Sequence, residues 1–318
     1  MPRCIEYFVD EYIPSQPEAE NAAVSYGPQA QHAPYVRRER RLWLPAILFA
    51  LTGFSTFYAA GVRVDRSVEP PEAWIDFSAG ITYMLAVMAI LLAHELGHFL
   101  QAVRYRIPAS LPYFIPMPFM PLGTMGAVIG MEGSRANRRQ LFDIGLTGPL
   151  AGLVVAIPIA WYGIKIAEPY NGPATGLFTF SDPLIFQWMT RALHPDLPVN
   201  QVYEWNPYYM AGWVGMLITG LNMLPISQLD GGHTAYTLFG RKAHWLARGI
   251  VATAVAWMIW EQQFQFGVML LMVLFIGLDH PPTSDDTVPL GRVRTVVGLA
   301  SLLIPIFCFA PVPVTVTD

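Results

Sequence analysis

Long apolar stretches recur along this chain, at residues 42–61, 76–101, 142–167, 207–226, 246–260, 265–278 and 294–311. A helix needs about 20 apolar residues in succession to cross the hydrocarbon of a bilayer. Charged residues make up only 13% of the 318, against roughly 25% in a soluble domain. The deficit is spread over most of the chain, so lipid is its main solvent. Backbone N–H and C=O groups in lipid must be bonded within the protein, which leaves helices or closed barrels, and continuous apolar runs of this length read as helices. The sequence therefore predicts an all-α polytopic membrane protein with about six to seven transmembrane helices. The fifth and sixth stretches are short and separated only by Glu261-Gln262-Gln263. They read as a hairpin of short helices or as one unit, which gives seven spans with six as the alternative.

The basic residues orient the bundle. With the N-terminus on the cytoplasmic side, inside segments hold fifteen of the nineteen Lys and Arg, among them Arg37, Arg38, Arg40, Arg41, Arg135, Arg138 and Arg139. Outside segments hold Arg63, Arg66 and Arg191, and Lys165 sits at the outer end of the third span. That asymmetry predicts a cytoplasmic N-terminus. Residues 1–41 form a polar tail, rich in Pro and Gln, with a composition that suits disorder. The tail has no apolar segment to serve as a signal peptide, and its acidic residues argue against a transit sequence. Residues 42–318 form the membrane domain. The formal net charge of −4 and the absence of a basic run beyond residues 37–41 exclude nucleic acid as an expected partner. Cys4 and Cys308 lie near opposite ends of the chain, which gives neither a disulfide framework nor a thiolate metal site.

Two segments do not read as spans. Residues 107–133 are apolar but carry Pro108, Pro112, Pro116, Pro118 and Pro121, followed by four glycines. Proline at that density cannot occupy a helix interior, whereas Ala127-Val128-Ile129 between glycines suits short strands. Residues 168–206 form an outside loop of Pro, Gly and aromatic residues, too short for an inserted domain.

The chemistry concentrates at His94-Glu95-Leu96-Gly97-His98, near the cytoplasmic end of the second span. Residues i and i+4 share a helix face, so both imidazoles can reach one cation, with Glu95 placed to act on a water activated there. Ionisable residues within a span are costly and mark function by default. A pair of solvated histidines at a helix end is the bland alternative, but the preceding Ala-Ile-Leu-Leu-Ala is not a polar context. Two imidazoles leave a catalytic zinc site one protein ligand short. The fourth span ends in Asn222-Met223-Leu224-Pro225-Ile226-Ser227-Gln228-Leu229-Asp230-Gly231-Gly232-His233. It runs from outside to inside, as the second does, so topology brings Asp230 to the level of the two histidines. Asp230 before two glycines would otherwise read as a plain turn, and His233 is a rival third ligand.

Together these motifs resemble the site-2 protease family of intramembrane zinc metalloproteases, peptidase family M50. The resemblance covers about residues 76–240 and includes Thr147-Gly148-Pro149-Leu150-Ala151-Gly152, similar to the family's small-residue motif on the intervening helix. It implies one Zn2+ per chain held by His94, His98 and Asp230, with Glu95 as the catalytic base. Asn222 matches the family's asparagine, which implies a role in holding the substrate backbone. Met223 stands where many members have proline. No loop has room for a PDZ domain, so the chain resembles the compact, PDZ-free branch.

A helical substrate hides its peptide bonds and must unwind before cleavage, and its freed polar groups then need partners in lipid. A short edge strand within Gly123–Gly130, offering Gly126, Ala127 and Val128, would supply them by strand addition. This is similar to the family's membrane-reentrant β-hairpin. The expected partners are thus a transmembrane protein substrate and the lipid bilayer, with the oligomeric state open. The resemblance places the protein in a bacterial plasma membrane with its active site near the cytoplasmic face and a role in regulated intramembrane proteolysis. A transporter would spread its ionisable residues along a pathway, often in repeated halves, and no repeat is visible. A non-catalytic scaffold of the same fold would be expected to lack Glu95 or a ligand. Gly148 and Gly152 read as a surface for close helix packing. His280, in Asp279-His280-Pro281-Pro282-Thr283, reads as a cytoplasmic loop residue without a ligand role, and His32, His194 and His244 read as structural or solvated.

Overall fold

A computed structural model of the protein describes residues 42–65, 72–169, 178–196, 203–262 and 277–310, the strand 314–316, and positions 267, 270, 271 and 274. The N-terminal tail and most of the sixth apolar stretch lie outside the described residues.

Helix α1 (Trp43–Gly61) runs directly into strand β1 (Val62–Asp65), which pairs antiparallel with β2 (Glu72–Ile75). Asp76 follows, and its carboxylate accepts from the Ala79 N–H at 2.9 Å. That bond satisfies one of the orphan donors at the start of α2 (Phe77–Tyr105). This helix has 29 residues, about 43 Å at 1.5 Å per residue. It continues past the expected end of the second span and stops where Arg106 turns left-handed at φ 57°.

The proline-rich segment that follows is a β-hairpin. Strands β3 (Tyr113–Met117) and β4 (Gly123–Val128) pair antiparallel, with an irregularity between Phe114 and Pro116. A proline is tolerated in a strand at such a bulge. Ile129 falls just outside β4. The hairpin is seated by two hydroxyls: Ser55 Oγ on α1 donates to Gly123 O, and Tyr83 Oη on α2 donates to Leu122 O at 2.8 Å. Tyr83 precedes His94 by eleven residues, so the hairpin's turn lies about 16 Å along α2 from that histidine, toward the helix N-terminus.

Helix α3 (Arg138–Lys165) opens with a capping box, in which Asn137 and Gln140 bond each other's backbone N–H. The loop expected over 168–206 contains strand β5 (Phe178–Phe180) and helix α4 (Leu184–Leu193). Helix α5 (Pro207–Asn222) has proline in its first turn and Asn206 as its cap. Next come α6 (Asp230–Phe239) and α7 (Lys242–Trp260). The last apolar stretch is two short helices, α8 (Arg292–Ser301) and α9 (Ile304–Cys308), rather than one continuous helix. Pro305 lies in the first turn of α9, where its missing N–H is harmless. Strand β6 (Val314–Val316) pairs with β5.

The core lies where α2, α3 and α5 meet, around Tyr83, Val87, Ile90, Ala156, Ala160, Trp213, Val214 and Met216, all nearly fully buried. Small residues allow this contact: a Cβ on Gly212 of α5 would lie 2.6 Å from Ala160 Cα of α3. The fold is mainly helical. Among the described residues three helices, α1, α2 and α3, are long and apolar enough to cross a membrane.

Candidate metal centre

His94, Glu95 and His98 sit in the C-terminal half of α2, each at most 6% exposed. Asp230 is the first residue of α6, where the helix dipole favours a carboxylate. Its two oxygens divide between the imidazoles: Oδ2 lies 3.2 Å from His94 Nε2, and Oδ1 lies 3.3 Å from His98 Nε2. The three donor groups lie within 4.8 Å of one another. Ligand bonds of about 2.0–2.1 Å in a tetrahedron separate donor atoms by about 3.3 Å, so this spacing fits a zinc ion. The donor set of two imidazoles and one carboxylate also suits zinc.

His98 is oriented from behind. Its Nδ1 lies 2.8 Å from the carbonyl oxygen of Ile144 on α3. A carbonyl only accepts, so Nδ1 carries the hydrogen and Nε2 presents its lone pair toward Asp230. Such a bond fixes the tautomer and raises the basicity of the free nitrogen.

The glycines of α3 leave room for both rings. A Cβ on Gly148 would fall 2.0 Å from His98 Nε2, and one on Gly152 would fall 3.1 Å from His94 Nδ1. The sequence suggested only a helix-packing surface here. The glycines stand four residues apart, the same spacing as the histidines, and that shared period was the signal for ring-facing positions. The backbones also approach closely, since a Cβ on Gly97 would meet Thr147 O at 2.6 Å.

Asn222, at the end of α5, joins the cluster with Nδ2 3.5 Å from His94 Nε2. The hairpin reaches the same helix. Gly126 has φ 103°, and a Cβ there would lie 3.6 Å from Ile218, one turn before Asn222 on α5. Ala127 beside it is buried, whereas Val128 is 52% exposed. His233, the rival third ligand, is not in the cluster: its Nδ1 pairs with His280 Nε2 at 2.6 Å. His280, read from the sequence as a simple loop residue, is buried.

The family model for peptidase family M50 matches residues 82–260, more than half of the chain. The chain belongs to peptidase family M50. Several curated proteins resemble this M50 chain. The probable zinc metalloprotease EGY1 of Arabidopsis thaliana, named as chloroplastic, is 33% identical over 189 residues, covering 56% of this chain and 34% of that protein. Its namesake in Oryza sativa subsp. japonica is 28% identical over 265 residues, covering 73% and 45%. The probable zinc metalloprotease EGY2 of Arabidopsis thaliana, also chloroplastic, is 27% identical over 284 residues, covering 86% and 50%. The M50 chain thus spans a third to a half of the length of these relatives. Zinc is the metal their names give, and it is the ion that the His94–His98–Asp230 geometry suits.

Proposed function

We propose that this M50 chain is an intramembrane zinc metalloendopeptidase of the site-2 type, cutting peptide bonds in or near transmembrane segments of other membrane proteins. One observation carries the reading: two imidazoles and a carboxylate converge beside a buried glutamate within a bundle of apolar helices. His94, His98 and Asp230 hold the metal. Zinc, when bound, supplies Lewis acidity that acidifies water and polarises the scissile carbonyl. Glu95 takes the proton from the attacking water and releases it to the leaving amine. The Asn222 amide, close to His94, donates to the substrate backbone near the scissile bond.

Strand β4 binds the unwound substrate. Among the described residues β4 pairs with β3 alone, which leaves its other edge without a strand partner there. Gly126, Ala127 and Val128 present that edge beside α5, and a substrate segment between them is directed at Asn222 and the metal. The depth of the Leu122–Tyr83 contact supports a hairpin that re-enters the membrane. Six or seven membrane crossings follow if α5, α7 and the C-terminal helices complete the bundle begun by α1, α2 and α3. The arginine asymmetry supports an active site near the cytoplasmic face; a bacterial plasma membrane and a role in regulated proteolysis of a membrane-tethered protein rest on the family resemblance alone.

The test compares detergent-purified protein with Glu95→Gln for zinc content and for cleavage of a transmembrane substrate. Bound zinc in both, with cleavage by the unmodified chain alone, is expected. Zinc in both without cleavage by either would favour a scaffold. Absence of zinc from both would overturn the site itself.

A further inference from the structure

The segment Asp279-His280-Pro281-Pro282-Thr283 takes no part in the chemistry above, yet it is built into the fold beside it. His280 is 6% exposed, although it belongs to the connection between α7 and α8. Its ring lies nearly parallel to that of Tyr236, at 4.4 Å and 17°, and edge-on to that of His233, at 4.9 Å and 82°. The polar atoms fix the direction of the bond between the histidines. His280 Nδ1 meets the carbonyl oxygen of Pro281, which only accepts, so Nδ1 carries the hydrogen. His280 Nε2 then presents a lone pair, and the His233 Nδ1–H donates to it across 2.6 Å.

The segment is held at both flanks. Arg248 donates to both oxygens of Asp279 at 2.8 Å, and His244 Nε2 lies 3.2 Å from His280 O. Further along, Tyr236 Oη donates to Asp286 at 2.8 Å, Ser284 N to Ala136 O at 3.0 Å, and Arg138 N to Asp285 O at 3.2 Å. His280 and Pro281 each precede a proline, which restricts both to extended backbone. The imidazole is therefore delivered to His233 on a stiff support.

His233 stands on the helix that Asp230 begins. Helix α6 has ten residues, and Leu229 before it provides no side-chain cap. A helix that short holds its place by packing, not by its own stability. His233 lies three residues after Asp230, on the same face. On one side it meets α3, where a Cβ on Gly145 would fall 2.9 Å from His233 Cβ. On the other it meets His280. The first turn of α6 is thus gripped between α3 and the His-Pro-Pro segment.

We propose that His280 is a positioning residue for the metal centre: its bond to His233 sets the rotation of α6 and so aims the Asp230 carboxylate at His94 and His98. The inference rests on the reading of Asp230 as a metal ligand. It is tested on the full chain in detergent by zinc affinity in competition with a chelator, and by the absorption spectrum of the cobalt(II)-loaded protein. His280→Ala is expected to weaken zinc binding about tenfold, the lower end for loss of a group supporting a ligand, and to alter the cobalt spectrum. His280→Gln, which offers His233 an oxygen acceptor, is expected to restore both. His280→Phe keeps the stack on Tyr236 but lacks the acceptor, and carries the same expectation as His280→Ala should that variant fail to fold. Unchanged affinity and spectrum in His280→Ala and His280→Phe, with both lost in Asp230→Ala, would overturn the inference alone. Unchanged zinc affinity in Asp230→Ala would overturn the ligand reading and the inference with it.

Discussion

His98 Nδ1 lies 2.8 Å from the carbonyl oxygen of Ile144, a bond that ties helix α2 to its neighbour α3. The same carbonyl accepts from Thr147 Oγ1 at 3.1 Å. One turn further along α3 the wall of the site is glycine, so the ring is held from behind and left free in front. The arrangement makes the α3 backbone part of the candidate metal centre.

Gly148→Ala places a methyl group where His98 Nε2 now lies, 2.0 Å away. Overpacking of this kind costs about 1–3 kcal/mol, and here the imidazole must give way. Zinc affinity is expected to fall by more than about tenfold, with helix content by circular dichroism retained. Gly152→Ala, with 3.1 Å to His94 Nδ1, is expected to do less. Chelator competition on the two purified variants checks the order, and equal zinc binding in both would contradict it.

Arg294 on α8 grips Asp143 on α3 through two hydrogen bonds of 2.7 and 2.8 Å, and Tyr105 at the end of α2 donates to the same carboxylate. Three helices meet at one acidic side chain. Its neighbour in sequence is Ile144, so the cluster also steadies the carbonyl that holds His98. A double-mutant cycle with Asp143→Ala and Arg294→Ala is expected to give a coupling energy of ~1–2 kcal/mol. Unfolding of the four proteins in detergent measures it, and simple additivity would show that the pair contributes nothing.

Successive N–H groups of a strand point to opposite edges. Of Ala127 and Val128, one N–H therefore faces β3 and the other faces outward. Ala127→Pro and Val128→Pro are both expected to abolish cleavage of a transmembrane substrate and to leave zinc content unchanged. Tyr83→Phe is the milder companion, removing the bond to Leu122 O at a cost of ~1–2 kcal/mol, and it should slow cleavage without affecting zinc. Loss of zinc in the proline variants would mean that the hairpin supports the fold and not the substrate.

Asp182, between β5 and α4, accepts from Tyr209 Oη at 2.7 Å, while its other oxygen is buried without a partner among the described residues. Burial pushes its carboxyl pKa above the ordinary 3.8, and the Tyr209 bond only partly opposes the shift. The folded chain thus holds this proton more tightly than the unfolded chain does. The resulting stabilisation is fully present below the ordinary carboxylate pKa and is lost as pH rises through the raised value. Asp182→Asn is expected to flatten the pH dependence of the melting temperature across that acidic range and to raise it at neutral pH. An unaltered pH profile would show that another group governs it.

Much of this protein is written along single segments of its sequence. Apolar runs of helical length specify α1, α2 and α3, because lipid admits little else. The four-residue spacing of His94 and His98 puts both on one helix face, and the expected common direction of two apolar stretches places Asp230, 136 positions beyond His94, at their level. The prolines and glycines of 107–133 exclude a helix and leave a hairpin. Contacts between segments were not legible, because periodicity reports on one element at a time. Only the packed structure turns Gly148 and Gly152 toward the imidazoles, sets the Ile144 carbonyl behind His98 and seats the hairpin turn on Tyr83. It also breaks the last apolar stretch into α8 and α9, and it buries His280 against His233. Each of these depends on the distance and rotation between helices, which are fixed by the fit of many side chains together.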